Sequence, residues 1–168
     1  YGCSQKVKDA VVDIIPKMAL YPDDSMIKLK NALRNRYKVK NENIIIGSGS
    51  DQVIEFAIHA KASSESKILI NSVTFAMYEI YAKHVGAQII RTDSQHHDLN
   101  EFYKLYLEEK PEIIFLCTPN NPTGDAIDAE ELFDFISKID SDTLVIVDGA
   151  YMEYAIGKDA SKKVDPKE

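Results

Sequence analysis

Short apolar runs rich in β-branched residues alternate with segments of helical periodicity, and this alternation limits the possible fold more than any other feature of the chain. A strand followed by a helix, repeated, is the pattern of a parallel sheet, so the sequence predicts a three-layer α/β/α fold with helices on both faces. The segment at 51–62 is apolar on almost every side, and we expect it to lie deep beside the sheet. The predicted strands are 44–46, 67–70, 88–91, 113–117 and 144–147, with helices near 51–62, 76–85, 99–109 and 128–139.

Length and charge narrow the class of protein. The 168 residues suffice for one domain with a packed core. With 27 acidic and 20 basic residues the net charge is −7, which disfavours a general surface for nucleic acid or anionic membrane. No apolar run approaches the roughly 18 residues of a membrane helix, and Cys3 and Cys117 make neither a disulfide framework nor a metal cluster. We expect a cytoplasmic protein that binds neither nucleic acid nor membrane.

The first 25 residues differ from the regular pattern that follows. They predict a helix at 6–15 that ends at Pro16 and then an extended connector; the helix that follows, capped by Ser25, is expected to bury Leu29 and Leu33. We therefore expect an N-terminal arm and connector at 1–25 and one large domain at 26–168. Because the chain opens without methionine and closes in a polar tail, we expect a piece of a longer protein.

The turn from Gly47 to Asp51 is the first candidate site, because ligands of open α/β sheets bind outside the carboxyl ends of the strands. Its free backbone N–H groups and the helix dipole suit a phosphate. An ordinary turn with Ser50 or Asp51 as helix N-cap explains it equally well. A dinucleotide fingerprint is disfavoured because Gln52 stands where a third glycine belongs, and a P-loop is excluded because no Lys-Ser or Lys-Thr pair follows the glycines.

The turns after the second and fourth predicted strands offer a ring and an amide. Phe75 presents a flat face, whereas Tyr78 and Tyr81, at helical spacing, are more typical of core or surface aromatics. Asn121 is fixed in a turn before Pro122, where it supplies an amide or belongs to a tight loop without a ligand.

Asp148 ends the last predicted strand, and Tyr151 follows three residues later. A carboxylate in this position needs a cation or hydrogen bonds, unless it is a helix N-cap. The glycine turn suits an anion, Phe75 a flat ring, and Asp148 a basic ring nitrogen. Asn121 and Tyr151 suit a ring hydroxyl, and the combination outlines pyridoxal phosphate. Asp148 would keep its ring nitrogen protonated, and a pyridinium withdraws electrons from the α carbon of the substrate.

Five motifs, in this order and spacing, resemble those of the fold type I aminotransferases over essentially the whole chain. Within that family the similarity is greatest to the members that act on histidinol phosphate. The resemblance implies the N-terminal part of the large, pyridoxal-phosphate-binding domain. The motifs are LYPD at 20–23, IGSGSD at 46–51, TFAMY at 74–78 with GA at 86–87, NNPTG at 120–124 and DGAY at 148–151.

The resemblance also implies a role for each site residue. Transfer of an amino group from a small-molecule donor to a 2-oxo acid is implied, most closely from histidinol phosphate to 2-oxoglutarate in histidine biosynthesis. Tyr21 would reach the cofactor phosphate of a neighbouring subunit, which implies a homodimer. In this chain Asp148 and Tyr151 would be the catalytic groups; the implied cofactor contacts are Gly49, Ser50 and Asp51 at the phosphate, Phe75 on the ring, Asn121 and Tyr151 at the ring hydroxyl and Asp148 at the ring nitrogen.

The sequence departs from the family pattern in three places. Val73 stands where proline is usual, with Phe75 in place of tyrosine, and Gly149 replaces glutamate; the ring face, the carboxylate and the phenol all remain. The family's Schiff-base lysine, in a Ser-Lys motif followed by glycines and an arginine, is absent. The Ser-Lys pairs at 66–67, 137–138 and 161–162 lack that downstream pattern, so we expect the 168 residues alone to be inactive.

Other functions stay open at the level of sequence. An aromatic aminotransferase or a threonine-phosphate decarboxylase of the same family is possible, as is a noncatalytic α/β binding domain. His96 and His97 with Asp98 suggest a metal site, but adjacent histidines of an extended chain point to opposite sides. We expect a solvated loop there and no metal.

Overall fold

A computed structural model describes residues 2–154, which form a sheet of four parallel strands and six α-helices. The strands are β1 (Lys67–Ile70), β2 (Gln88–Arg91), β3 (Ile113–Cys117) and β4 (Leu144–Asp148). The helices are α1 (Gln5–Ile14), α2 (Ile27–Tyr37), α3 (Gly49–Lys61), α4 (Met77–His84), α5 (Leu99–Glu109) and α6 (Ala129–Ser137). The Ser-Lys pair at 161–162 and the rest of the tail at 155–168 lie outside the described residues.

The strands are ordered β2-β1-β3-β4, and every neighbouring pair is parallel. A central strand of such a sheet faces helices on both sides, which explains why all five residues of β3 are buried. Ile113, Phe115 and Cys117 pack with α3 and α4, whereas Ile114 and Leu116 pack with α5 and α6. The predicted α/β fold of three layers is confirmed.

The strand predicted at 44–46 is wrong for the described residues, since this segment pairs with no other strand there. A strand needs a neighbour to accept and donate its backbone hydrogen bonds. Instead, Ile45 borders an apolar groove of about 860 Å³, which Leu144 and Ile146 of β4 also border. Strand β4 is thus an edge of the described sheet.

The expected depth of α3 is also wrong in this structure. Only Ile54 and Ile58 are buried, while Phe56 is exposed and Val53 and Ala57 line the same groove. The predicted buried side of α2 is exposed at Leu29, and α1 buries no residue. Ser25 is not the N-cap of α2, which is Met26, although the Ser25 hydroxyl accepts a hydrogen bond from the Ile27 amide at 3.3 Å.

Candidate active site

Five residues predicted to serve one ligand border a single cavity at the carboxyl end of the sheet. The cavity measures about 80 Å³ and shares Ser50, Asp148 and Ala150 with the apolar groove. The structure therefore brings together groups that lie up to about 100 residues apart in the sequence. The predicted residues on its wall are Ser50, Phe75, Asn121, Asp148 and Tyr151, joined by Cys117 and Ala150.

Asp148 is buried at the end of β4 and is held by two hydrogen bonds. The phenol of Tyr78 donates to Oδ2 at 2.6 Å, and the backbone amide of Ala150 donates to Oδ1 at 3.0 Å. No cationic side chain forms an ion pair with Asp148 within residues 2–154. Because each carboxylate oxygen offers about two acceptor positions, both oxygens keep capacity for a further donor.

Tyr78 is fully buried, and sequence reasoning did not place it in the site. Its ring stacks on Phe115 with centroids 4.3 Å apart and meets the edge of Phe75 at 5.7 Å. Burial raises the pKa of Tyr78 far above its ordinary value, and the Asp148 carboxylate raises the pKa further. The phenol therefore stays protonated and donates its hydrogen bond to the carboxylate.

Asn120 fastens the turn before Phe75 to the loop that carries Asn121. The hydroxyl of Thr74 donates to Asn120 Oδ1 at 2.8 Å, and Asn120 Nδ2 donates to the Val73 carbonyl and to Thr123 Oγ1, each at 2.8 Å. Sequence reasoning treated Asn120 only as a neighbour of Asn121. Its burial, unusual for an amide side chain, shows the structural role.

The glycine turn leaves the N-terminus of α3 open to a ligand. Gly49 has φ +75°, and no atom lies within 4 Å of where its Cβ would stand, so the turn uses the backbone freedom of glycine. Neither Ser50 nor Asp51 is the N-cap: it is Ser48, whose side chain makes no capping hydrogen bond. Amides in the first turn of a helix have no partner within the helix, so those of Ser50 and Asp51 suit an anion.

The side chain of Asp51 contacts α4. The phenol of Tyr81 donates to Asp51 Oδ2 at 2.9 Å, and this hydrogen bond is the main reason that the pKa of Tyr81 is raised. The other oxygen, Oδ1, is buried without a partner among residues 2–154. A carboxylate repels a phosphate, so an anion at this turn would meet the backbone amide of Asp51 rather than its side chain.

Two tyrosines of the predicted site are accessible. Tyr151 borders the cavity and is half exposed. Tyr21 is 99% exposed and lies outside the cavity wall, so the described chain does not bring it to the site. The contact predicted for Tyr21 concerns a second subunit and stays a prediction.

His97 is a third residue whose position sequence reasoning missed. We predicted a solvated loop at 96–98, but the His97 side chain is only 2% exposed and stacks on Phe102 at 5.9 Å. Its Nδ1 lies 3.6 Å from Asp125, while its neighbour His96 is exposed. Among residues 2–154 no cluster of His, Cys, Asp and Glu could hold a metal ion.

The donor set fits pyridoxal phosphate in four respects. Free amides at the start of α3 suit its phosphate, the Phe75 ring its heterocycle, Asp148 its ring nitrogen, and the Asn121 amide with the Tyr151 phenol its hydroxyl. The unused acceptor positions of Asp148 are the observation that tests the fit, since a buried carboxylate with spare lone pairs favours a donor ligand.

A family model described as "Aminotransferase class I and II" matches residues 1–166. The chain belongs to the class I and II aminotransferase family. None of the helices in residues 2–154 has both the length and the apolar character of a membrane span.

Two curated relatives carry the same name. The chain is 72% identical over 167 residues to the histidinol-phosphate aminotransferase of Sulfurimonas denitrificans, covering 99% of this chain and 46% of the relative. It is 54% identical over 168 residues to that of Wolinella succinogenes, covering 100% of this chain and 46% of the relative. The chain thus spans about half the length of the curated relatives it matches.

Solved structures of this family share the fold. A putative histidinol-phosphate aminotransferase from Erwinia carotovora atroseptica superposes with a TM-score of 0.87 at 28% identity, covering 99% of this chain and 50% of that one. The enzyme from Sinorhizobium meliloti, solved in complex with pyridoxal-5'-phosphate, gives a TM-score of 0.88 at 21% identity, covering 94% of this chain and 44% of that one.

Proposed function

We propose that the whole protein is a pyridoxal-phosphate-dependent aminotransferase and that this chain contributes the cofactor-binding half of its large domain, residues 26–168. The observation that supports this most strongly is Asp148: a buried carboxylate with two fixed donors and unused acceptor positions, on the same cavity wall as Phe75 and Asn121. Relatives named for this activity, 72% and 54% identical, support the same function.

Pyridoxal phosphate, when bound, supplies an electron-withdrawing ring that stabilises negative charge at the α carbon of an amino substrate. The task of Asp148 is to keep a proton on the ring nitrogen, because a buried carboxylate favours a cationic partner. Tyr78 cannot supply that proton, since burial and the nearby carboxylate raise its pKa. Asp148 therefore acts as an acceptor that orients and charges the ring.

The remaining wall residues bind and orient. The backbone amides of Ser50 and Asp51 hold the phosphate at the start of α3, aided by the helix dipole. Phe75 packs against the ring face and excludes water from it. Asn121 and Tyr151 donate hydrogen bonds to the ring hydroxyl, and Asn120 keeps Asn121 at a fixed distance from Phe75.

The lysine that such chemistry requires does not border the cavity among residues 2–154. Lys67 forms an ion pair with Glu109 at 2.7 Å, and Lys138 with Asp134 at 2.5 Å, so both are ordinary surface cations. Since the relatives are about twice as long as this chain, we infer that the rest of the protein supplies the lysine and covers the groove beside β4.

The substrate proposal rests on the relatives. We propose histidinol phosphate as amino donor and 2-oxoglutarate as acceptor, in histidine biosynthesis, because the relatives at 72% and 54% identity bear that name. A homodimer in which Tyr21 reaches the neighbouring subunit is supported by the exposure of Tyr21, at 99%. The cytoplasmic location stays a prediction.

The test uses the full-length protein with pyridoxal phosphate. We expect transamination of histidinol phosphate with 2-oxoglutarate to exceed that of tyrosine, and no release of carbon dioxide from phosphothreonine. Asp148→Ala should lower turnover by several orders of magnitude, a far larger effect than its moderate lowering of the thermal midpoint, which follows because the buried Tyr78 phenol and the Ala150 amide lose their acceptor. Near-normal turnover of this variant would exclude the assignment, and preference for one of the other donors would identify another member of the family.

A further inference from the structure

Helix α4 presents two phenols, one turn apart, to two different carboxylates of the site. Tyr78 donates to Asp148 at 2.6 Å, and Tyr81 donates to Asp51 at 2.9 Å. Residues three apart on a helix share a face, so one helix reaches both the end of β4 and the start of α3. The two hydrogen bonds are chemically alike but differ in burial, since Tyr78 is fully buried and Tyr81 is half-buried.

We propose that Tyr78 is a positioning residue for Asp148, the carboxylate that pairs with the ring nitrogen of the cofactor. Its phenol fixes the rotation of the Asp148 carboxylate so that a free lone pair of that group faces the cofactor ring. This inference rests on the proposed function. It assigns no proton transfer to Tyr78, which acts on the cofactor only through Asp148.

The geometry supports orientation rather than simple packing. The Asp148 carboxylate has one donor on each oxygen, Tyr78 on Oδ2 and the Ala150 amide on Oδ1, and these two contacts define the plane of the group. A single donor would leave the carboxylate free to turn about its Cβ–Cγ bond, because this torsion has broad minima. The second donor, Tyr78, therefore fixes the orientation of the buried carboxylate.

The phenol itself is held firmly. Its ring is stacked on Phe115 and touched by the edge of Phe75, and these two contacts fix the position of the ring that carries the hydroxyl. Packing alone would be satisfied by phenylalanine, and a buried hydroxyl lowers stability unless it is hydrogen-bonded. The contact with Phe75 also joins the residue proposed to pack on the cofactor ring to Tyr78, which orients the Asp148 carboxylate.

The experiment measures the protonation of the cofactor's ring nitrogen directly. Full-length protein is loaded with pyridoxal phosphate carrying ¹⁵N in the ring, and the ¹⁵N chemical shift is followed against pH in the wild type and in Tyr78→Phe. We expect the acid dissociation constant of the ring nitrogen to rise about tenfold in Tyr78→Phe, the size expected when a charged group loses one well-placed hydrogen bond. Turnover should fall by a similar factor while KM for both substrates stays within about twofold.

Tyr81→Phe is the matched control, because it removes the same type of bond from the same helix but at Asp51. It should leave the ¹⁵N titration unchanged and act on cofactor affinity instead. An unchanged or lowered dissociation constant in Tyr78→Phe, or an equal change in both variants, would overturn the proposal.

Asp148→Asn separates this inference from the proposed function. If this variant leaves the ring-nitrogen titration as in the wild type, or if the full-length protein does not take up the cofactor, the proposed function itself fails. If Tyr78→Phe does not fold, a crystal structure of the wild-type protein with bound pyridoxal phosphate tests the proposal instead. A Tyr78 phenol within hydrogen-bond distance of Asp148, with Asp148 also on the ring nitrogen, supports the proposal, whereas a phenol turned away overturns it.

Discussion

Replacing Asn120 with alanine should loosen the site by releasing one of its loops from another. The side chain of Asn120 makes three hydrogen bonds, each of 2.8 Å, in the closed loop: two join it to the turn at 73–74, and the third, to Thr123 Oγ1, lies within the loop at 120–123. A hydrogen bond of this kind contributes about 1 kcal/mol net, so the closed loop should lose about 3 kcal/mol. That free energy corresponds to a more than hundredfold increase in the population of the open loop, at about 1.4 kcal/mol for each factor of ten.

Amide hydrogen exchange of the full-length protein measures this opening. The Gly124 amide donates to the Asn120 carbonyl at 2.8 Å and reports on the loop, so its exchange should accelerate about a hundredfold in Asn120→Ala. Asn121→Ala is the matched control, since this neighbouring side chain borders the cavity and takes part in none of the three hydrogen bonds of Asn120. Its Gly124 exchange should change less than about threefold. Acceleration below tenfold in Asn120→Ala, or an equal effect of both variants, would refute the reasoning.

Two further outcomes follow from the structure. Burial lowers the pKa of His97 below its ordinary 6.5, so the unfolded chain takes up a proton that the native ring resists, and the free energy of unfolding should fall as the pH drops below 6.5. Urea unfolding of the full-length protein at several pH values measures this effect. The free energy of unfolding should fall less steeply with pH in His97→Gln than in the wild type, and equal slopes in the two proteins would contradict the role of His97. Residues 1–168 alone, incubated with pyridoxal phosphate, should transaminate no faster than a blank of free cofactor because no lysine borders the cavity among the described residues; a rate above that blank would contradict the prediction.

The sheet could be predicted from sequence because burial on both faces demands apolar runs of strand length. The bounds predicted for β1, β2 and β3 agree with the structure, and β4 is longer by one residue, Asp148. The segment at 44–46 is as apolar and β-branched as these strands, and yet it forms no strand in residues 2–154. Composition establishes that a segment can be a strand, whereas a neighbouring strand decides whether it becomes one.

The candidate site was predictable in its parts because the carboxyl ends of parallel strands meet at one edge. That rule placed Phe75, Asn121 and Asp148 near each other, and the structure brings them to one cavity. Their roles toward a cofactor stay predictions. The rule did not predict that Tyr78 belongs to the site, because Tyr78 lies inside a helix. An aromatic residue at helical spacing is indistinguishable there from an ordinary core residue.

The sequence by itself determined the layers, the parallel sheet and the kinds of side chain that follow each strand, because these depend on local periodicity and on the direction of the strands. Only the tertiary structure decided that Tyr78 meets Asp148 across 70 positions, that Asn120 links two loops and that His97 is buried while His96 is exposed. The physical reason is that a hydrogen bond requires two atoms within about 3 Å in a suitable direction. Such a distance is fixed by how α4 packs on the sheet, which no single segment of the sequence specifies.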